Sequence, residues 1–202
     1  MVQRRLRRLS MILPVMLLAL VLVPTSVAAA DHRTVRAYDD CDAKTFNANV
    51  PPNPDGSPGC VGDGRTKFND FIGQLVENGL VPNESAKDWD FDREDSTIDR
   101  FGRLTIENRG GEYHTFTEVD AFGGSCIPLV NVALNTNAAP ADRVGPVPEC
   151  NELAPNGLPL ILATGVLPNR TLTVDRSTLT PGVHHFQCLI HPWMHSTVTV
   201  QG

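Results

Sequence analysis

The stretch that decides the fold is "GVHHFQCLIHPWMHSTVTVQG", residues 182–202. Both of its ends alternate with period two: His184, Phe186 and Cys188 fall on one face, and Val198 and Val200 share a face further on. Pro192 restricts the short connection, so the reading is two strands joined by a tight loop. Cys188, His191 and Met194 place a thiol, an imidazole and a thioether within seven residues on that loop.

The same period recurs upstream from about residue 88. "WDFD" puts Trp89 and Phe91 on one face, "RLTIEN" puts Leu104 and Ile106 inward, and "TLTVD" pairs Leu172 with Val174. "LPLILATGV" (158–166) adds a further apolar run, and "RGG" (109–111) and "TPG" (180–182) are turn signals. Short alternating strands without strong intervening helices predict an all-β antiparallel sandwich. Residues 126–158 break the rhythm as a long Pro/Asn-rich excursion. Before the strands, "FNDFIGQLVENG" repeats Phe68, Phe71, Ile72, Leu75 and Val76 at helical spacing, with Gly79 as the stop. Residues 31–65 are polar and turn-rich, with little apolar periodicity.

Residues 1–30 read as a secretory signal peptide: four arginines, a short apolar core, and "SVAAA" as a small-residue exit before Asp31. The expected organisation is therefore 1–30 signal peptide, 31–85 an extension with one short helix, and 86–202 the sandwich domain. The expected location is extracytoplasmic, whether periplasmic, cell-surface or secreted, with no stable membrane insertion after cleavage. Removing Arg4, Arg5, Arg7 and Arg8 takes the formal charge from −6 to −10, which argues against a nucleic-acid partner. The acidic run "DWDFDREDSTID" (88–99) either steers a basic partner protein or is plain solvated surface.

There are five cysteines, and outside the cytoplasm thiols tend to pair. Sequence order suggests Cys41–Cys60 and Cys126–Cys150, among three possible connectivities. Cys188 is then left over, and a lone thiol in an exported chain needs a reason. Soft sulfur donors with imidazole suit copper, and two histidines plus a cysteine with a weak axial methionine describe a blue-copper electron-transfer site. The second histidine is His114 in "NRGGEYHTFTEV", directly after the Gly-Gly turn. His195 follows Met194 but points to the opposite face of the strand.

On these residues the chain resembles the cupredoxins of the plastocyanin/azurin type. "NRGGEYHTF" followed by "CLIHPWM" carries the resemblance, and the Cys-x-x-His-x-x-Met loop is most similar to that of amicyanin. The resemblance covers roughly residues 86–202. It implies a Greek-key sandwich and one type 1 copper, with His114, Cys188 and His191 equatorial and Met194 axial. It also implies a monomer shuttling single electrons between redox partners rather than an enzyme. Where many relatives carry an asparagine that braces the ligand loop, this chain has Thr115.

Other function classes fit less well. There is no His-x-His pair and no His-Cys-His run for a trinuclear copper cluster. The ligand loop holds one cysteine, too few for a two-cysteine binuclear centre. A cysteine hydrolase using Cys188 and His114 lacks any oxyanion motif. The alternative that stays open is an extracytoplasmic copper carrier or storage protein without electron traffic.

Overall fold

The structure is a computed structural model that describes residues 31–175 and 178–202; the expected signal peptide lies outside the described residues. Ten strands follow in chain order: β1 (His32–Tyr38), β2 (Asp90–Phe91), β3 (Asp95–Ile98), β4 (Arg103–Asn108), β5 (His114–Thr115), β6 (Thr117–Val119), β7 (Gly165–Val166), β8 (Thr171–Thr173), β9 (Gly182–Gln187) and β10 (His195–Val200). The helices are α1 (Ala43–Phe46), α2 (Phe68–Asn78), α3 (Pro128–Leu134) and α4 (Leu160–Ala163). None of the helices among the described residues is long and apolar enough to cross a membrane.

Two four-stranded sheets form the sandwich, one in the order β2-β1-β4-β8 and the other β3-β10-β9-β6. The architecture is mostly β, two packed sheets with a few short helices. The sheets are mixed rather than purely antiparallel, because β1 runs parallel to β4 and β3 parallel to β10. Alternation explains the core. Leu104 and Ile106 of β4, Phe186 of β9 and Val198 of β10 are buried, and Phe116 stacks on Phe186 at 4.4 Å between ring centroids. Burying side chains of this size contributes about 1.5–3 kcal/mol each.

Two sequence expectations need correction. β1 comes from the stretch read as an extension, and it lies inside its sheet, with His32 opposite Arg103 through Ala37 opposite Asn108. The sandwich therefore begins at about residue 32, not 86. The run "LPLILATGV" is not one strand. It forms the turn of α4, closed by Thr164 Oγ1 on the Leu160 carbonyl at 2.7 Å, and only then the two residues of β7.

The remaining helices build one end of the sandwich. Asp42 caps α1 by accepting the Thr45 N–H at 2.8 Å, which seats Phe46 in the core. Thr45 Oγ1 in turn accepts the first N–H of α2, from Phe68, at 3.1 Å. α2 buries Phe71 and Leu75 and ends at Gly79, whose φ of 66° suits glycine. α3, inside the excursion, packs against α2.

Candidate metal centre

Four segments meet at this end. Cys188 follows β9, and the loop after it closes on itself. Its N–H donates to the Met194 carbonyl at 3.1 Å, and the Met194 N–H donates to the His191 carbonyl at 3.0 Å. Asn83 clamps the loop from outside. Its N–H donates to the Trp193 carbonyl at 2.8 Å, and its Oδ1 accepts the His195 N–H at 3.0 Å. Asn83 holds φ at 56°, a left-handed conformation that asparagine tolerates. His114 arrives on β5, paired with Val166 of β7. Thr115 joins the two halves of the site, since its Oγ1 accepts the Leu189 N–H at 2.7 Å. The brace expected of an asparagine side chain is thus supplied by a hydroxyl.

The donor atoms converge on one point. Cys188 Sγ lies 3.7 Å from His191 Nδ1 and 4.0 Å from His114 Nδ1, and the two Nδ1 atoms are 3.2 Å apart. Bond lengths of about 2.05 Å to imidazole and about 2.3 Å to thiolate, spread at 120° in a plane, give separations of about 3.6 Å and about 3.8 Å. The observed triangle therefore fits one late first-row ion held by two imidazoles and a thiolate. All three residues are buried. The sulfur also accepts N–H groups from Thr115 at 3.4 Å and His191 at 3.5 Å. Burial alone would push the Cys188 thiol up, but the hydrogen bonds and charges of His114 and His191 outweigh it and hold the thiol well below its ordinary value.

Behind each imidazole stands a carboxylate. His114 Nε2 is 2.9 Å from Asp39 Oδ2. Asp39 is shaped by the turn, accepting the N–H of Gly111 at 2.9 Å and of Glu112 at 3.0 Å. Gly110 must be glycine, because the Asp39 carboxylate occupies the space a Cβ would need. Burial opposes ionisation of Asp39, yet its bonds to His114, Glu112 and Gly111 prevail and lower it to about 2. Burial likewise opposes charge on His114, and the Asp39 bond prevails and raises it to about 10. His191 Nε2 faces Glu112 Oε2 at 3.6 Å, and that oxygen accepts the Trp89 indole N–H at 2.6 Å. Burial raises Glu112 to about 7. Asp39, Cys41 and Glu112 also lie close together, but the Cys41 sulfur is spent in a disulfide.

His191 sits in an aromatic nest, with Trp193 at 5.5 Å, Phe71 at 6.2 Å and Trp89 at 6.5 Å between ring centroids. It also lines a cleft of about 310 Å³ walled by Phe71, Ile72, Ile127, Val130 and Ile190.

Of the residues singled out in the sequence, His114, Cys188 and His191 come together. Met194 is fully buried beside them and bonded to Cys188 through the backbone. His195 is not in the cluster; it stacks on Phe122 at 3.8 Å between ring centroids. His184 turns to Glu118 and Thr180, and His185 contacts Phe122. The cysteines pair as Cys41–Cys60 and Cys126–Cys150, leaving Cys188 free. Sequence reasoning missed Asp39, Glu112 and Asn83. The trace that Asp39 leaves in the sequence is Gly110, which makes room for its carboxylate.

No protein-family model matches the chain, and no curated protein sequence matches it. Among solved structures the chain is similar to a copper-containing nitrite reductase (NirK) from Thermus scotoductus SA-01, with a TM-score of 0.32 and 14% identity. That match covers 84% of this chain and spans 28% of the reductase. It is also similar to auracyanin B, with a TM-score of 0.28 and 21% identity over 56% of this chain and 81% of that one. Overlaps of this size leave the assignment to the residues themselves.

Proposed function

We propose that this chain is an extracytoplasmic blue copper protein that carries single electrons between redox partners. One copper ion would be held by His114, Cys188 and His191, with Met194 as the weak fourth ligand. The observation that carries the reading is the triangle of donor atoms, whose sides of 3.2, 3.7 and 4.0 Å suit a trigonal N₂S set. Copper, when bound, supplies the one-electron couple. The chain's part is to hold two nitrogens and one sulfur still, so that little has to move when the charge changes. Thr115 and Asn83 do this with side-chain oxygens that accept backbone N–H groups, and the 188–194 loop with its own backbone hydrogen bonds. Trp89, Phe71 and Trp193 keep water from the buried His191 imidazole. His191, on the wall of the apolar cleft, is the exit edge toward a partner protein. The two disulfides suit an oxidising compartment.

A second reading, copper carriage or storage, draws support from burial. His114 and His191 are 0% and 3% exposed, which suits slow release of an ion. Electron self-exchange of the copper-loaded protein separates the two, since slow exchange favours storage. The assignment itself is tested by colour. Cu(II) added to purified apoprotein is expected to give the intense blue of a thiolate-to-copper transition, and Cys188→Ser to abolish it. A colourless copper complex overturns the reading.

A further inference from the structure

Neither carboxylate behind the imidazoles is a surface group: the Asp39 side chain is 1% exposed and that of Glu112 9%. We infer that Asp39 and Glu112 are positioning residues of the metal centre, Asp39 holding His114 and Glu112 holding His191, so that the segment after β1 completes the site. This rests on the copper reading above.

The geometry is directional. Asp39 is acceptor-only when ionised, so the 2.9 Å contact requires a proton on His114 Nε2. With the proton fixed on Nε2, the nitrogen turned toward Cys188 and His191 is Nδ1, the atom that frees its lone pair when a metal binds. The carboxylate cannot swing away, because the N–H groups of Cys41, Gly111 and Glu112 hold it at 3.3, 2.9 and 3.0 Å. Burying a carboxylate costs several kcal/mol unless it is paired, and among the described residues its side-chain partner is the ring of His114. Charge points the same way. Asp39 with the Cys188 thiolate gives two negative charges, which match a divalent ion and overmatch a monovalent one. Asp39 therefore favours Cu(II) and lowers the reduction potential. Glu112 acts more weakly. At 3.6 Å it lies too far from His191 for a full hydrogen bond, and the Trp89 indole holds it in place.

The test uses the full mature chain and the isosteric variants Asp39→Asn and Glu112→Gln, with Asp40→Asn as a control. Copper affinity is measured by competition, together with the absorption and EPR spectra and the midpoint potential. Asp39→Asn is expected to weaken Cu(II) binding about tenfold to a hundredfold. The potential should rise by about 59 mV for each tenfold by which Cu(II) is weakened more than Cu(I). Glu112→Gln should shift both in the same direction by less, and Asp40→Asn neither. A role in folding alone would change unfolding midpoints and leave potential and spectrum where they were. A folded, blue Asp39→Asn with wild-type affinity and potential overturns the inference, whereas a wild type that is never blue overturns the copper reading instead. Should Asp39→Asn not fold, ring-nitrogen NMR of the Cu(I)-loaded wild type decides. A slowly exchanging proton on His114 Nε2 upholds the pairing, and free exchange with solvent sinks it.

Discussion

At the scale of single residues, Thr115 ties the strand that carries His114 to the loop that carries Cys188. Replacing it with valine keeps the shape and removes the acceptor, leaving the Leu189 N–H buried without a partner. Thr115→Val is expected to cost about 1–3 kcal/mol of apoprotein stability by urea denaturation; a loss under about 0.5 kcal/mol would show that the brace is dispensable. The cluster of His114, Cys188 and His191 was legible in the sequence because its spacing is chemical: a thiol and an imidazole three apart on one loop, and a histidine just past a Gly-Gly turn. Asp39 and Glu112 were not. In an acidic chain a carboxylate reads as surface, and only the fold reveals that one reaches across 75 positions to His114.

At the scale of elements, β9 carries more than Cys188. His184, buried on that strand, has an acceptor at each ring nitrogen: Glu118 Oε1 at 2.6 Å from Nδ1 and the Thr180 carbonyl at 2.7 Å from Nε2. Both nitrogens can donate only in the imidazolium form. Burial opposes that charge, but Thr180 and Glu118 outweigh it and raise the pKa above 6.5. The folded chain thus holds the proton more tightly than the unfolded one. The stability this gives is complete below the unfolded pKa and fades as pH rises through the raised folded value. Melting temperature should therefore fall from about pH 6 toward about pH 9 more steeply in the wild type than in His184→Asn; equal slopes would refute the pairing. Element boundaries show why some strands could be read and β1 could not. β4 alternates cleanly, whereas β1 buries only Val35 and Ala37 among arginines and threonine. The run at α4 is too short for periodicity to separate a helical turn from a strand.

At the scale of the whole molecule, the end of the sandwich that bears the centre is held by covalent ties. Cys41–Cys60 closes a loop over a sequence separation of 19 and lies against Gly111, beside the Asp39 carboxylate. Cys126–Cys150 anchors the excursion, and the Cys126 N–H donates to the Leu189 carbonyl at 2.7 Å, next to the ligand loop. The Cys41→Ala/Cys60→Ala pair is expected to lose about 3 kcal/mol in urea denaturation; an unchanged midpoint would mean the bridge stabilises nothing. Strand order has a further effect on how the chain is assembled. Each sheet needs partners from far apart in the chain: β1 waits for β4, β4 for β8, and β3 for β10. Folding dominated by such distant pairings is slow. During vectorial emergence, cysteines 41, 60, 126 and 150 therefore become available for oxidation in neighbouring couples before residue 188 appears. The fifth thiol is the last to emerge, with the two couples that the folded chain joins already laid down ahead of it.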